Sequence, residues 1–219
     1  MTRPRPADAA RVARRLMSFD AKGTASLVLW VTRRRDGVPP GATAVPYSAA
    51  QTTPMLMWLF AMAVELVGLE VILRAVGAPG PLRVAFLVVD AYSLLIVLAV
   101  IAACVTRPHV VSDGELRVRY GAFFDLRVPR ERIASVRRVR DFNESRLFRL
   151  EDEVLTVAVS SQTSVVVELN GPVTVVRPLG GLGRARTIRF FADDPDAAVR
   201  ALRGAPSEDQ PGGTRVGSR

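Results

Sequence analysis

The sequence predicts a membrane α-helical hairpin followed by a mainly-β domain that ends in one helix. Two apolar stretches, at 55–73 and 84–105, are each long enough to cross the roughly 30 Å hydrocarbon core of a bilayer as a helix. After residue 108 the apolar residues recur with a period of two, which is typical of strands with one buried face. We therefore expect four regions: an N-terminal cytoplasmic segment and linker (1–53), the transmembrane hairpin (54–105), the β-domain (106–204) and a disordered tail (205–219).

The first region is predicted to be largely irregular. Residues 7–19 carry three apolar side chains at helical spacing, which fits either a short basic amphipathic helix on an anionic membrane surface or a frayed tail. The Gly and Pro residues at 36–41 break any regular element, so residues 36–53 are expected to be a linker into the membrane. The apolar run at 26–31 is too short for the core of a signal peptide.

The distribution of basic residues predicts the orientation of the hairpin. The formal charge of +9 comes from the first 53 residues and from residues 107–204, and nearly all of it is arginine, which is typical of a GC-rich bacterial genome. Three consecutive arginines at 33–35 precede the first apolar stretch, and Arg107 follows the second. The positive-inside rule therefore places both termini in the cytoplasm of a bacterial cell (inner) membrane.

Three carboxylates fall inside the predicted membrane segments, namely Glu65, Glu70 and Asp90. A charge at this depth is costly, so each acid must be paired, protonated or in contact with water. The two glutamates bring the free energy of membrane insertion of the first span close to zero, whereas the apolar residues of the second span should be enough for it to insert alone. We therefore expect either that the first span enters together with the second or that its acids are neutralised.

Partners for these acids are present in the sequence. Arg74 follows Glu70 at a helical spacing that favours an ion pair, and Arg83 begins the second span. Folding the hairpin about residue 79 places Glu65 level with Ser93 and near Tyr92, so a hydrogen bond from Ser93 or Tyr92 to Glu65 is expected. The acids are expected to hold the two helices together, to bind a partner subunit or to reach water at an interface. A lone ion pathway is disfavoured because two helices cannot enclose a pore.

The β-domain is predicted to contain about seven short antiparallel strands. The buried positions expected for the clearest strands are Leu116, Val118, Tyr120, Phe124, Leu126, Val128, Leu155, Val157, Val159, Val165, Val167 and Leu169. Turns are expected at 112–114, 121–122, 170–172 and 180–183. A helix should follow, capped by Asp194 and ended by Gly204, with Val199 and Leu202 facing the sheets.

Four pieces of this region resemble bacterial PH-like domains of actinobacterial two-span integral membrane proteins. They read RPHVVSDGELRVRYG at 107–121, VPRERIASV at 128–136, VVVELNGPV at 165–173 and ADDPDAAVRAL at 192–202. The resemblance spans about residues 107–204 and implies a pleckstrin-homology-like fold, without implying a reaction. The loop that binds phosphoinositides in eukaryotic PH domains is acidic here, at 112–115, which argues against inositide binding.

Basic residues cluster elsewhere in the domain. They are Arg130, Arg132, Arg137, Arg138, Arg140, Arg146 and Arg149. Just under a membrane this cluster is a possible lipid or partner face, and it fits equally well a solvated strand face that is paired with nearby acids.

The residues that most enzymes need are scarce. One histidine, His109, and one cysteine, Cys104, are too few for a zinc site or a Cys/His nucleophile. We predict no enzyme activity, cofactor, metal, nucleic-acid partner or small-molecule substrate. The expected role is a membrane-anchored interaction or scaffold module for protein partners, for its own copies or for the membrane surface. The alternatives are an accessory subunit of a transport or proton-coupled complex, and a lipid-surface sensor.

Overall fold

The computed structural model describes residues 23, 25–178 and 180–204, which form a helical hairpin joined to a β-domain of two sheets. The helices are α1 (Ala49–Ala75), α2 (Gly80–Thr106) and α3 (Pro195–Arg203). The strands are β1 (Thr43–Val45), β2 (His109–Val111), β3 (Glu115–Tyr120), β4 (Phe124–Pro129), β5 (Ile133–Asp141), β6 (Phe148–Glu151), β7 (Val154–Val157), β8 (Thr163–Val176) and β9 (Leu182–Phe190). Residues 25–31 are also helical. The segment 7–19 and the tail 205–219 lie outside the described residues.

Helices α1 and α2 form the predicted hairpin. Gly77 adopts a φ of 69° after α1, where a left-handed residue ends the helix, and Pro79 and Pro81 flank the start of α2. Both helices are long and apolar enough to span a membrane, and only 0% and 6% of their most apolar windows are buried by the described protein. A core helix of a soluble domain would be covered instead. We call the end at residues 76–79 the turn end and the end at Ala49 and Thr106 the domain end.

The β-domain consists of two sheets that share one hydrophobic core. The first has the strand order β1–β2–β3–β4 and is antiparallel throughout, and the second has the order β5–β8–β9–β7–β6. Alternation is clear in β4, where Leu126 and Val128 are buried and Asp125 and Arg127 are exposed. The predicted mainly-β region is confirmed. The prediction of one buried face per strand is wrong for β3 and β8, which are buried on both faces over part of their length, as at Arg119 and Val166.

The prediction that all strands of the domain are antiparallel is wrong. Strand β7 pairs with β9 in parallel, with Leu155 opposite Ile188, and the region predicted to hold about seven strands contains β2 to β9. Strand β8 lies between β5 and β9, so the β6–β7 hairpin adds to the far side of β9. A period of two is the same for parallel and antiparallel strands, so the sequence pattern does not report strand direction.

Two further local predictions need correction. The turn expected at 170–172 is instead a register shift within β8, which continues to Val176 and tolerates Pro172 because the ladder is interrupted there. The linker expected at 36–53 contains strand β1, whose Val45 lies opposite His109. A strand of three residues is too short to show a periodic pattern.

Helix α3 follows its sequence signals. The Asp194 carboxylate accepts a hydrogen bond from the Ala197 N–H at 2.9 Å, and Gly204 ends the helix with a φ of 79°. Val199 and Leu202 belong to the core that the two sheets share. The predicted helix, its caps and its buried face are confirmed.

Candidate functional site at the junction of hairpin and β-domain

The end of α2 is built into the β-domain. Only Arg107 and Pro108 separate α2 from β2, and Ile101, Ala102 and Cys104 are each exposed by 2% or less. Because Cys104 belongs to the hydrophobic core that the two sheets share, the last turn of α2 packs against the domain and is not connected to it by a flexible tether.

The start of α1 is held by a residue from the other end of the chain. The N-cap residue, Ser48, makes no side-chain cap, and the Asp193 carboxylate accepts the Ala49 N–H at 3.1 and 3.2 Å. An acidic group at a helix N-terminus satisfies a free donor and interacts favourably with the helix dipole. Burial raises the pKa of Asp193, against the lowering effect of the Ala49 and Ser48 N–H groups.

A second domain residue repairs a gap in the hydrogen bonding of α1. Pro54 lies inside the helix and lacks the N–H that would bond to the Ala50 carbonyl. The Ser160 hydroxyl donates to that carbonyl at 3.1 Å, and Ser160 itself adopts a φ of 49°. The β7–β8 connection is therefore fitted to the first turns of α1.

Aromatic side chains fill the space between the two helix ends. Tyr47 is 1% exposed, stacks on His109 with ring centroids 4.5 Å apart, and accepts the Gly121 N–H at 2.6 Å. The Tyr120 hydroxyl donates to Gln51 of α1 at 2.9 Å. Burial raises the pKa of both tyrosines, so both are neutral donors or acceptors at physiological pH.

His109 is buried and neutral. Its Nε2 lies 2.9 Å from the Phe191 carbonyl, which can only accept, and its Nδ1 lies 3.0 Å from the Arg119 N–H, which can only donate. The proton is therefore on Nε2, and both ring nitrogens are satisfied. Burial lowers the pKa of His109 to about 4.

One carboxylate serves two buried arginines beside this aromatic cluster. Arg107 donates to Asp36 Oδ2 at 2.9 Å and to the Ser26 hydroxyl, and Arg119 donates to the Asp36 carbonyl at 2.7 Å. Arg119 Nη2 also lies 3.5 Å from Asp36 Oδ2. Burial lowers the pKa of Arg119, and the neighbouring charges of Arg117 and Arg107 act in the same direction. We call Asp36, Arg107 and Arg119 the junction triad.

A cavity of about 580 Å³ opens beside the triad. Its lining includes Trp30, Arg33, Arg34, Arg35, Ser48 and Val105. It lies between the helical segment 25–31 and the last turn of α2. A Cβ at Gly23 would lie 3.3 Å from the Ala99 Cβ, and Ser26 contacts Arg107, so the segment follows the final turns of α2 closely.

No family model, curated protein or solved structure matches this chain. The geometry of the chain's own residues therefore carries the functional argument.

The turn end contains the Glu70–Arg74 ion pair that helical spacing predicted, and Arg83 of the second helix joins it. Arg74 Nε lies 2.7 Å from Glu70 Oε1, and Arg83 binds the same oxygen. Asp90 lies nearby, beside the same small cleft, and makes no ion pair with any residue that the structure describes. Glu70 therefore joins α1 to α2 at this end.

Glu65 is placed differently from the prediction. It is exposed on α1, and the Ser93 hydroxyl, its predicted partner, donates to the Val89 carbonyl at 2.8 Å. The predicted hydrogen bond between Glu65 and Ser93 or Tyr92 does not form within residues 25–178. The helix offers Ser93 a nearer acceptor in its own backbone.

The seven-arginine cluster of the domain is mostly engaged. Arg130 donates to the carbonyls of Ser112, Ala201 and Leu202, at 3.1, 2.9 and 2.6 Å, and so caps α3. The ion pairs are Arg137–Glu168, Arg138–Asp196 and Arg149–Glu144. Arg132, Arg140 and Arg146 are exposed and have no ion pair in the described part of the chain. The cluster is therefore not one free basic face.

The sequence does not predict the junction. Its patterns indicate only a loop at Asp36, a charge near the membrane at Arg107 and a single histidine at His109. Arg119 alternates with apolar residues in β3, which predicts exposure, and it is 4% exposed. No sequence signal connects these residues, because they meet only in the folded protein.

Residues 25–178 and 180–204 contain no group of three metal-ligating side chains.

Proposed function

We propose that this is a bacterial inner-membrane protein in which a two-helix hairpin holds a PH-like domain in the cytoplasm as an interaction or scaffold module. The two apolar helices support the membrane placement. The arginines at 33–35 lie at the domain end together with Arg107 and Arg119, whereas the turn end carries Arg74 and Arg83. This asymmetry supports a cytoplasmic domain end and cytoplasmic termini.

The arrangement of the β-domain supports the PH-like part of the proposal. Two sheets enclose one core, and α3 packs against it through Val199 and Leu202. A C-terminal helix that closes two sheets is the plan implied by the resemblance. Strand β1 and the parallel β7–β9 pair are additions to that plan.

The observation that carries the proposal is the attachment of both helix ends to the domain. Asp193 and Ser160 bind the start of α1 at the surface. Tyr120 binds the buried Gln51, and Cys104 of α2 belongs to the core that the two sheets share. A domain joined in this way keeps a fixed orientation to the bilayer. A fixed orientation suits a module that presents one surface to a partner in the membrane or beside it.

The second candidate function is an accessory subunit of a transport or proton-coupled membrane complex. It is favoured by Glu65, which lies near the middle of α1, is exposed, and has no hydrogen bond or ion pair with the described residues. A carboxylate that faces lipid at this depth is costly, so a second chain would supply its partner.

Site-specific photo-crosslinking in native membranes tests both proposals. A crosslinker at Phe142, which is 57% exposed in the β-domain, should give a specific protein adduct if the domain is a scaffold. A crosslinker at Ala61, one turn from Glu65, should give an adduct within the membrane if the accessory-subunit proposal holds, and Glu65→Gln should abolish it. Absence of an adduct at Phe142 and at other exposed domain positions would contradict the scaffold.

A further inference from the structure

We infer that the cavity beside the junction triad is a binding site for the phosphate group of an anionic glycerophospholipid from the cytoplasmic leaflet. The inference rests on the proposed membrane placement and adds a specific ligand to it. It concerns residues 30–35, which precede the β-domain, and not the seven-arginine cluster within the domain.

The cavity has the size and position that a headgroup requires. Its volume of about 580 Å³ is within the range of small-molecule sites. It adjoins Val105 and Thr106 in the last turn of α2, at the level where a spanning helix leaves the hydrocarbon. A lipid in the surrounding leaflet can therefore enter it from the side.

The lining of the cavity has a basic part and an apolar part, as the lipid has a phosphate group and an acyl region. Arg33, Arg34 and Arg35 supply guanidinium groups, which match the geometry of phosphate oxygens. Trp30 and Val105 supply an apolar wall suited to the glycerol and the first carbons of an acyl chain, and tryptophan favours this interfacial depth.

The charges of these three arginines are not compensated by the described protein. The nearest acid in sequence, Asp36, is bound to Arg107 and Arg119. Arg33, Arg34 and Arg35 are exposed and make no ion pair within the described ranges. Residues 1–24 contain six basic and two acidic residues, so charge opposes occupation of the cavity by the chain's own N-terminus. An anion from outside the chain is the complementary occupant.

Arg33 also adopts a backbone conformation that arginine does not favour. Its φ is 54°, and the bonds from Arg33 N to Trp30 O and from Arg34 N to Leu29 O form a helix C-terminal motif in which glycine is preferred. Arg33→Gly removes one charge without disturbing this motif.

The two tryptophans of the chain provide separate probes for the test. The full chain is reconstituted in phosphatidylcholine nanodiscs that contain either brominated phosphatidylglycerol or brominated phosphatidylcholine at equal mole fraction. Trp58→Phe leaves Trp30 to report on the cavity, and Trp30→Phe leaves Trp58, which is 65% exposed on α1, to report on insertion. We expect phosphatidylglycerol to quench Trp30 more strongly than phosphatidylcholine, and both lipids to quench Trp58 equally.

Charge variants separate the site from general attraction to the surface. Arg33→Gln, Arg34→Gln and Arg35→Gln together should abolish the preference of Trp30 for phosphatidylglycerol. The matched control removes the exposed arginines Arg132, Arg140 and Arg146 in the same way and should retain the preference. Arg33→Gly should weaken the preference roughly fivefold while the protein remains folded. A preference that survives in both site variants, or is lost in the control, overturns the inference.

The same samples distinguish the possible reasons for failure. If neither lipid quenches Trp58, the hairpin is not inserted and the proposed membrane placement is wrong. If both quench Trp58 and Trp30 shows no preference, the placement stands and the headgroup site is wrong. If Trp30 shows no lipid preference but inorganic phosphate alone changes its fluorescence, the site takes free phosphate and the lipid source is wrong.

Discussion

The two ends of the helical hairpin are held by different chemistry. At the domain end, hydrogen bonds from distant parts of the chain reach both helices, and the two arginines of the junction triad are buried. At the turn end, one carboxylate, Glu70, is shared by two arginines that lie close in sequence. The first arrangement fixes a domain to a helix pair, whereas the second only holds the pair together.

The domain end therefore fixes the orientation of the β-domain to the helices, whereas the turn end only joins the two helices to each other. A buried network costs much to break because the remaining partners cannot regain water. A partly exposed ion pair is screened and contributes little. We therefore expect variants at the domain end to affect the whole protein and variants at the turn end to stay local.

The largest effect is expected from Asp36→Asn. It leaves Arg107 and Arg119, with side chains 9% and 5% exposed, without a counter-charge. Breaking a buried pair should lower the free energy of unfolding by about 3 kcal/mol, the lower end of the usual range because Asp36 itself is partly exposed. Equilibrium unfolding in mild detergent measures this. Asp196→Asn, which breaks the exposed pair with Arg138, is the matched control and should cost less than about 1 kcal/mol. Equal losses would show that the triad is not special.

Acid should destabilise the domain end next. The pKa of His109 is about 4 in the folded protein and its ordinary value is 6.5, so the unfolded chain binds a proton more readily between these values. Stability from this group is complete above pH 6.5 and is lost as the pH falls, by about 3 kcal/mol at pH 4. Unfolding measured across this range should show the slope. His109→Asn, in a chain with no other histidine, should remove the imidazole contribution. If the unfolding free energy of His109→Asn falls with pH as steeply as that of the unmodified protein, the pH dependence comes from the carboxylates and not from His109.

Loss of the distant cap on α1 should have a smaller effect. Asp193→Ala leaves the Ala49 N–H without its acceptor and should cost about 1 kcal/mol. Asp193→Asn keeps an acceptor and loses the charge, so its free energy of unfolding should lie between those of the unmodified protein and Asp193→Ala. The same unfolding measurement ranks the three. If Asp193→Asn is as destabilising as Asp193→Ala, the charge matters more than the hydrogen bond.

The smallest effect on the domain is expected at the turn end. Glu70→Gln removes the charge that Arg74 and Arg83 share, far from the β-domain. Unfolding of the β-domain should be unchanged within error, while proteolysis at the 76–79 turn should become faster. Destabilisation of the domain comparable with that of Asp36→Asn would contradict the comparison between the two ends.

Local signals predicted the local structure well. The helices of the hairpin, the Glu70–Arg74 pair and the caps of α3 depend on residues within a few positions of one another. The direction of β7, the strand β1 and the junction depend on partners far apart, since Asp36 and Arg107 are separated by 71 residues and Ala49 and Asp193 by 144. A pattern along the chain carries no record of which distant residues will meet. Arg119 shows this most clearly. Its position in an alternating strand predicts that its side chain is exposed to solvent, but in the folded protein it is buried in the junction triad.

The central claim is that hairpin and β-domain form one rigid unit. Spin labels at Val76→Cys in the turn and Leu182→Cys in the domain, positions 70% and 73% exposed, would report the distance between them in nanodiscs. The native Cys104 is 2% exposed and should not react. The long lever arm of α1 and α2 makes this distance sensitive to any hinge at residues 106–108. We expect one narrow distance distribution that broadens in Asp36→Asn. A broad distribution in the unmodified junction would show that the domain is tethered loosely and would contradict the account.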